Sequence, residues 1–224
     1  MEAMQNRVLS DGQVLSTGIL KVNSFVNHQV DPVLMDEAGK WLADKFKEFG
    51  VTKVLTAQTS GVAPAQATAL HLRVPYVFAR EKKPITLSGM KVLEGNSYSR
   101  TGQKEVTLYV ASEFVLPTDK VLIVDDFLAT GTTAAVLYEM ARSTGAEVVG
   151  MCFLVEKMFE EGRTLIEKRC PDLDRSRIFS TCVVESLEPE TGKIRLCLNG
   201  GGGAPPSSSQ AGPDVKEEGR SSKD

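Results

Sequence analysis

Four consecutive apolar residues, Val121-Leu122-Ile123-Val124, run straight into two acids, Asp125-Asp126, and then into a small-residue turn, Ala129-Thr130-Gly131-Thr132-Thr133. An unbroken apolar run of this kind is how a central strand of a parallel sheet reads when both of its faces are covered. The turn offers backbone N–H groups, hydroxyls and the start of a helix, which together suit a phosphate. Two carboxylates ahead of such a cradle would repel a bare polyphosphate. They become intelligible if the ligand places hydroxyls or a metal ion between the acids and the phosphate. A ribose 5-phosphate does this, with its vicinal diol toward the acids. The Walker pattern is excluded because no Gly-Lys-Ser/Thr follows the turn, and the dinucleotide fingerprint because G-x-G-x-x-G does not occur.

The rest of the chain repeats the strand-then-helix rhythm. Asp31-Pro32 is predicted to cap and begin a helix whose apolar positions Leu34, Ala38, Trp41, Leu42, Phe46 and Phe49 recur at helical spacing up to Gly50. Val51–Ala57 reads as a strand, Thr59–Pro64 as a turn, Ala65–Leu72 as a helix and Pro75–Ala79 as a short strand. Glu81–Gln103 is polar, poorly patterned and long for a connection without regular structure, so it is expected to be a lid, an interface or disorder. Strands follow at Val106–Ala111, at Val121 and at Val148–Val155. Helices are expected over Thr132–Ser143, with Gly145 as its stop, and over Gly162–Arg169. Thr191-Gly192 separates two strand-like runs as a hairpin would. Alternating strands and helices imply an α/β domain with a mainly parallel sheet, whose ligands gather at the carboxyl ends of the strands.

At 224 residues one domain is the expectation. Beyond about Asn199 the chain turns to Gly200–Gly203, Pro205-Pro206, three serines and mixed charge, a composition too poor in apolar surface to offset ordering entropy. The expected division is a folded domain over 1–198 and a disordered tail over 199–224. A net charge of −3 argues against nucleic acid as the main ligand. The four cysteines form no C-x-x-C pair and have no histidine nearby, which points to reduced thiols rather than zinc. Apolar stretches are only strand-length and the N-terminus carries no apolar targeting segment, so no membrane association and a cytoplasmic location are expected.

Two further polar turns complete the pattern. Thr59-Ser60-Gly61-Val62-Ala63 follows a strand and opens a helix, with Gly61 free to let backbone approach a ligand; it reads as a second cradle or as a plain connection. Arg80, Lys82 and Lys83 follow the next strand, where cations would stabilise a departing polyanion or simply face solvent.

Val121–Thr133 resembles the 5-phosphoribosyl-1-pyrophosphate (PRPP) signature of type I phosphoribosyltransferases. The segments Gly18–Pro32 and Val155-Glu156-Lys157-Met158-Phe159 are similar to those of the xanthine phosphoribosyltransferases, and the resemblance runs from the N-terminus to about Leu198. It implies a mainly parallel central sheet flanked by helices with a small hood segment. It also implies transfer of phosphoribose from PRPP to xanthine, with Mg²⁺ as cofactor and a homodimer as the assembly. By residue it implies Asp125 and Asp126 on the ribose and Ala129–Thr133 on the 5′-phosphate. Thr59, Ser60, Gly61, Val62, Ala63, Arg80, Lys82 and Lys83 would take the pyrophosphate. Leu20, Asn27 and Lys157 would contact the base, and Ser97-Tyr98 would belong to the hood. Read without the resemblance, Leu20 would be core, Asn27 a turn residue and Lys157 an exposed strand end. Guanine or adenine as acceptor, and a non-catalytic PRPP sensor, are the competing readings. The turn departs from the Ala-Asn-Gly-Gln-Ala common in bacterial xanthine enzymes. Ala129 stands where hypoxanthine–guanine enzymes carry an aspartate, so this position cannot serve as a base.

Overall fold

A computed structural model describes residues 1–15, 19–83, 85, 89, 91–99 and 104–197. The expected tail, 199–224, lies outside the described residues. A six-stranded sheet forms the centre, built from β3 (Lys53–Ala57), β4 (Tyr76–Ala79), β7 (Lys120–Leu128), β8 (Glu147–Lys157), β9 (Ile178–Glu188) and β10 (Lys193–Leu196) in the spatial order β10-β9-β8-β7-β3-β4. All neighbours are parallel except β10, which returns antiparallel onto β9 through the Thr191-Gly192 hairpin. The mainly parallel sheet is thus as expected.

Helices cover both faces. α1 (Glu2–Asp11), α2 (Pro32–Asp44) and α3 (Val62–Leu72) pack on one face, where Phe25, Leu42, Phe46, Leu122 and Leu154 form the core. α4 (Thr132–Ser143) and α5 (Gly162–Arg169) pack on the other, over Leu55, Ile123, Leu137, Met151 and Phe153. The bounds of α4 and α5 are those the sequence predicts. α3 starts three residues earlier than predicted, at Val62 instead of Ala65. Asp31 caps α2 as expected, its carboxylate accepting from the Val33 and Leu34 N–H groups at 3.1 and 3.2 Å.

Two expectations need correction, and one part of the fold had none. The helix predicted to continue to Gly50 stops at Asp44 and tightens into a 3₁₀ turn at Lys47–Phe49. That change of path seats Phe46 on Gly150 of β8, where a β-carbon would lie 2.1 Å from the ring. Glu81–Gln103 is not irregular throughout, because β5 (Val92–Ser99) pairs antiparallel with β6 (Lys104–Ala111). β5 lies flat on α4, and at Gly95 a β-carbon would meet Val136 at 2.5 Å, so tertiary packing rather than alternation selects this strand. Finally, α1 and a two-stranded ribbon of β1 (Gln13–Val14) and β2 (Leu20–Lys21) went unread; α1 buries only Met4 and Val8, one residue per turn.

Candidate active site

From β3 the chain crosses through α3 outward to β4, whereas from β7 it crosses through α4 the opposite way to β8. The reversal opens a crevice between β3 and β7 at their carboxyl ends, the place where open α/β sheets bind ligands. The register shows how it opens. Pairing of β3 with β7 ends at Leu55↔Ile123, while pairing of β7 with β8 continues to Leu128↔Glu156. Past Ile123, β7 has a neighbour on one side only.

Asp125 and Asp126 sit in that half-paired stretch, so they lie within the strand and not after it. Both are buried, at 7% and 9% exposure. The Asp126 N–H donates to Asp125 Oδ1 at 3.0 Å. The Thr59–Ala63 turn closes over Asp125: a β-carbon on Gly61 would lie 2.3 Å from Asp125 Oδ1 and 2.4 Å from Thr56 Oγ1. Only glycine permits that approach. Burial, with the neighbouring Asp126 charge second, pushes the Asp125 carboxyl well above the ordinary carboxylate range. The peptide between Gln58 and Thr59 at the start of this turn is cis.

Ala129–Thr133 forms the turn into α4. Gly131 takes φ +79° ahead of the first helical residue, Thr132, and no side chain caps the first N–H groups of α4. The hydroxyls of Thr130 and Thr132 are 3.1 Å apart, and Thr133 Oγ1 lies 3.0 Å from Ser97 Oγ of β5. Ser97, expected in a hood, therefore touches the turn directly. Tyr98 follows it in β5, paired in register with Glu105.

On the opposite side of the acids, Asn27 ends a π-helical turn, Asn23–Asn27, and its Nδ2 donates to Asp126 Oδ2 at 3.3 Å. Lys157, the last residue of β8, is buried; its Nζ pairs with Glu160 at 3.3 Å and lies 5.5 Å from the centre of the Phe127 ring. Leu20 is buried at 4% exposure, packed in the cluster of α1 and α2. Arg80 follows β4 and bridges to Tyr109 through its backbone, leaving its side chain exposed. Lys82 is exposed, and Lys83 pairs with Glu94 at 3.2 Å. The three basic residues thus stand at the end of the strand next to the Gly61 turn. Among the described residues no three His, Cys, Asp or Glu side chains gather as a metal nest.

Sequence reasoning passed over Phe127, Glu160 and Gly162. Phe127 and Glu160 flank the Lys157 ammonium. Gly162, the first residue of α5, backs the turn, and a β-carbon on it would lie 2.3 Å from the Ala129 carbonyl oxygen. Phe127 could have been found, since it sits between the acids and the turn. Glu160 stands three residues after Lys157, a spacing that a single turn brings together, whereas Gly162 meets the Ala129 carbonyl only through the fold.

The chain is similar to known proteins over most of its length. The family described as "Phosphoribosyl transferase domain" matches residues 29–186. A xanthine phosphoribosyltransferase of Streptococcus gordonii is 44% identical over 194 residues, covering 87% of this chain and 96% of the relative. Another, of Ectopseudomonas mendocina, is 39% identical over 196 residues, covering 88% and 99%. Among solved structures, adenine phosphoribosyltransferase from Thermoanaerobacter pseudethanolicus superposes with a TM-score of 0.62 at 22% identity, covering 82% of this chain and 99% of the other. The Trypanosoma brucei enzyme, solved with AMP, pyrophosphate and ribose-5-phosphate, gives 0.65 at 18% identity, covering 80% and 79%. The structural likeness speaks for the fold. With the family match spanning residues 29–186 and sequence relatives at 39–44% identity, the chain belongs to the phosphoribosyltransferase family.

Proposed function

We infer that this chain is a xanthine phosphoribosyltransferase, converting PRPP and xanthine to xanthosine 5′-monophosphate and pyrophosphate. The observation that carries the reading is the crevice at the β3/β7 reversal. It gathers the acid pair, the Gly61 turn and the phosphate turn within one site, in a chain whose relatives at 39–46% identity bear that name.

In this reading the N–H groups and hydroxyls of Ala129–Thr133 hold the 5′-phosphate, while Asp125 and Asp126 accept from the ribose hydroxyls. The purine nitrogen displaces pyrophosphate at the anomeric carbon, and the paired carboxylates stabilise positive charge developing on the ring. Thr59–Ala63 and Arg80 receive the leaving group, with Lys82 and Lys83 beside them. Asn27 orients the base, a role its bond to Asp126 supports, and Lys157 favours the base's oxo groups or its anion. Leu20 gives the base an apolar contact. Positioning and fixed charge do most of the work.

Two carboxylates are too few for a resident ion, but they suit one that arrives with pyrophosphate oxygens as its other ligands. Bound Mg²⁺ would offset the charge of the departing pyrophosphate. A homodimer and a cytoplasmic location belong to the same proposal, as does a folded domain ending near residue 198. Among the described residues no helix is long and apolar enough to cross a membrane.

The test is steady-state kinetics with PRPP and Mg²⁺, offering xanthine, guanine, hypoxanthine and adenine separately. Xanthine is expected to give the highest kcat/KM, and Lys157→Ala to lower it for xanthine more than for adenine. A higher value for another base refutes the acceptor; PRPP binding without product from any base refutes the enzyme.

A further inference from the structure

Behind the phosphate turn lies a buried ionic cluster that the reaction does not use. Glu156 of β8, only 4% exposed, accepts from Arg163 Nε at 2.7 Å and from its Nη2 at 2.8 Å, and from Ser180 Oγ of β9 at 2.6 Å. A buried ion pair of this kind contributes little net stability compared with apolar residues of the same volume. Its geometry is what stands out. Arg163 is the second residue of α5 and follows Gly162 directly. Gly162 is pressed against the turn from behind. A β-carbon on Gly131 would lie 2.5 Å from the Gly162 carbonyl oxygen, and one on Gly162 would lie 3.0 Å from the Gly131 nitrogen. The chain reaches this contact through Glu161 at φ +56°, a left-handed conformation that a glutamate adopts only at a cost. The fork of Arg163 on Glu156 ties down the start of α5, while Ile166 and the Arg169–Glu139 pair hold the rest of the helix.

We propose that the Glu156–Arg163–Ser180 clamp is a positioning device for the phosphate turn: it braces the first residue of α5 against Gly131, so that Arg163 sets PRPP affinity without touching PRPP. The inference deepens the proposed function and rests on the reading of Ala129–Thr133 as the 5′-phosphate site. It separates the two substrates. Lys157, on the base side, is held by strand pairing of β8 with both β7 and β9, at Leu128↔Glu156 and Lys157↔Val184. That pairing does not depend on α5.

The deciding variant is Arg163→Lys, which keeps the charge but loses the two-pronged fork. Its PRPP KM is expected to rise about tenfold, the scale set by small displacements of a binding group. Its xanthine KM should remain at the parental value. An unchanged PRPP KM, or equal rises in both constants, overturns the proposal. The double variant Glu156→Leu/Arg163→Met gives a second reading by removing both buried charges. It is expected to melt near the parent yet keep a raised PRPP KM, and a parental PRPP KM in this variant also overturns the proposal. Thr132→Val tests the underlying site separately: if it leaves the PRPP KM unchanged, the phosphate assignment itself is wrong, whatever Arg163 does.

Discussion

Asp125 carries the sharpest conflict between stability and function in this molecule. Its carboxyl is pushed up by burial and then by Asp126, so the folded state favours the protonated form. A group raised in this way contributes its full stability below the unfolded value and loses it as pH rises through the folded value. At neutral pH the ligand-free protein has therefore lost part of that stability. Asp125→Asn is expected to melt above the parent at pH 7, with the gain vanishing toward pH 4, while kcat/KM falls by about 10–100-fold, the worth of a hydrogen bond to a charged group. Thermal melts at the two pH values check the sign. Gly61→Ala should fail differently, because its β-carbon would displace Asp125 Oδ1 from 2.3 Å. It is expected to lower stability by about 1–3 kcal/mol, as overpacking does, and to lower kcat/KM as well. The acids stood out in the sequence because two carboxylates precede a Thr-Gly-Thr-Thr turn, and the structure buries both at the sheet's opening. The role of Gly61 was only half legible. A sequence shows that glycine permits close approach, but not that the approaching atom is Asp125.

Among the elements, those bounded by local chemistry were the readable ones. α2 begins where Asp31 and Pro32 dictate, and α4 runs Thr132–Ser143 between Gly131 and Gly145. Asp31→Ala is expected to destabilise the fold by about 1 kcal/mol, the usual worth of an N-cap. For a chain of this size that is a fall in Tm of about 2–4 °C, measurable by calorimetry. β5 was not readable, because Leu93-Glu94-Gly95-Asn96-Ser97 has neither alternation nor β-branching. Its stability comes from lying on α4, a contact between segments about forty positions apart, and from pairing with β6. The break after Asp44 was hidden for a similar reason. Phe46 keeps the helical spacing in sequence, yet its destination is Gly150, far along the chain. Long-range packing overrides a local period at Phe46 and supplies a strand where no period exists at β5.

For the molecule as a whole, the order of the strands creates the site. A sheet that winds outward from β3 to β4 and the other way from β7 to β8 has to part at its carboxyl edge; two polar turns follow the strands that flank the parting, and a third follows β4 beside them. The alternation of strands and helices foretold such a sheet. It did not foretell which strands would be neighbours, because β3 and β7 are brought together from segments more than sixty residues apart. That neighbourhood brings the Gly61 turn and the acid pair together, with the Ala129–Thr133 turn following the same strand. Calorimetric titration of the purified chain with PRPP and Mg²⁺ tests this directly. Saturable one-site binding is expected, weakened about tenfold or more by Asp126→Asn. The absence of binding by the parent protein, or undiminished binding by the variant, would contradict it.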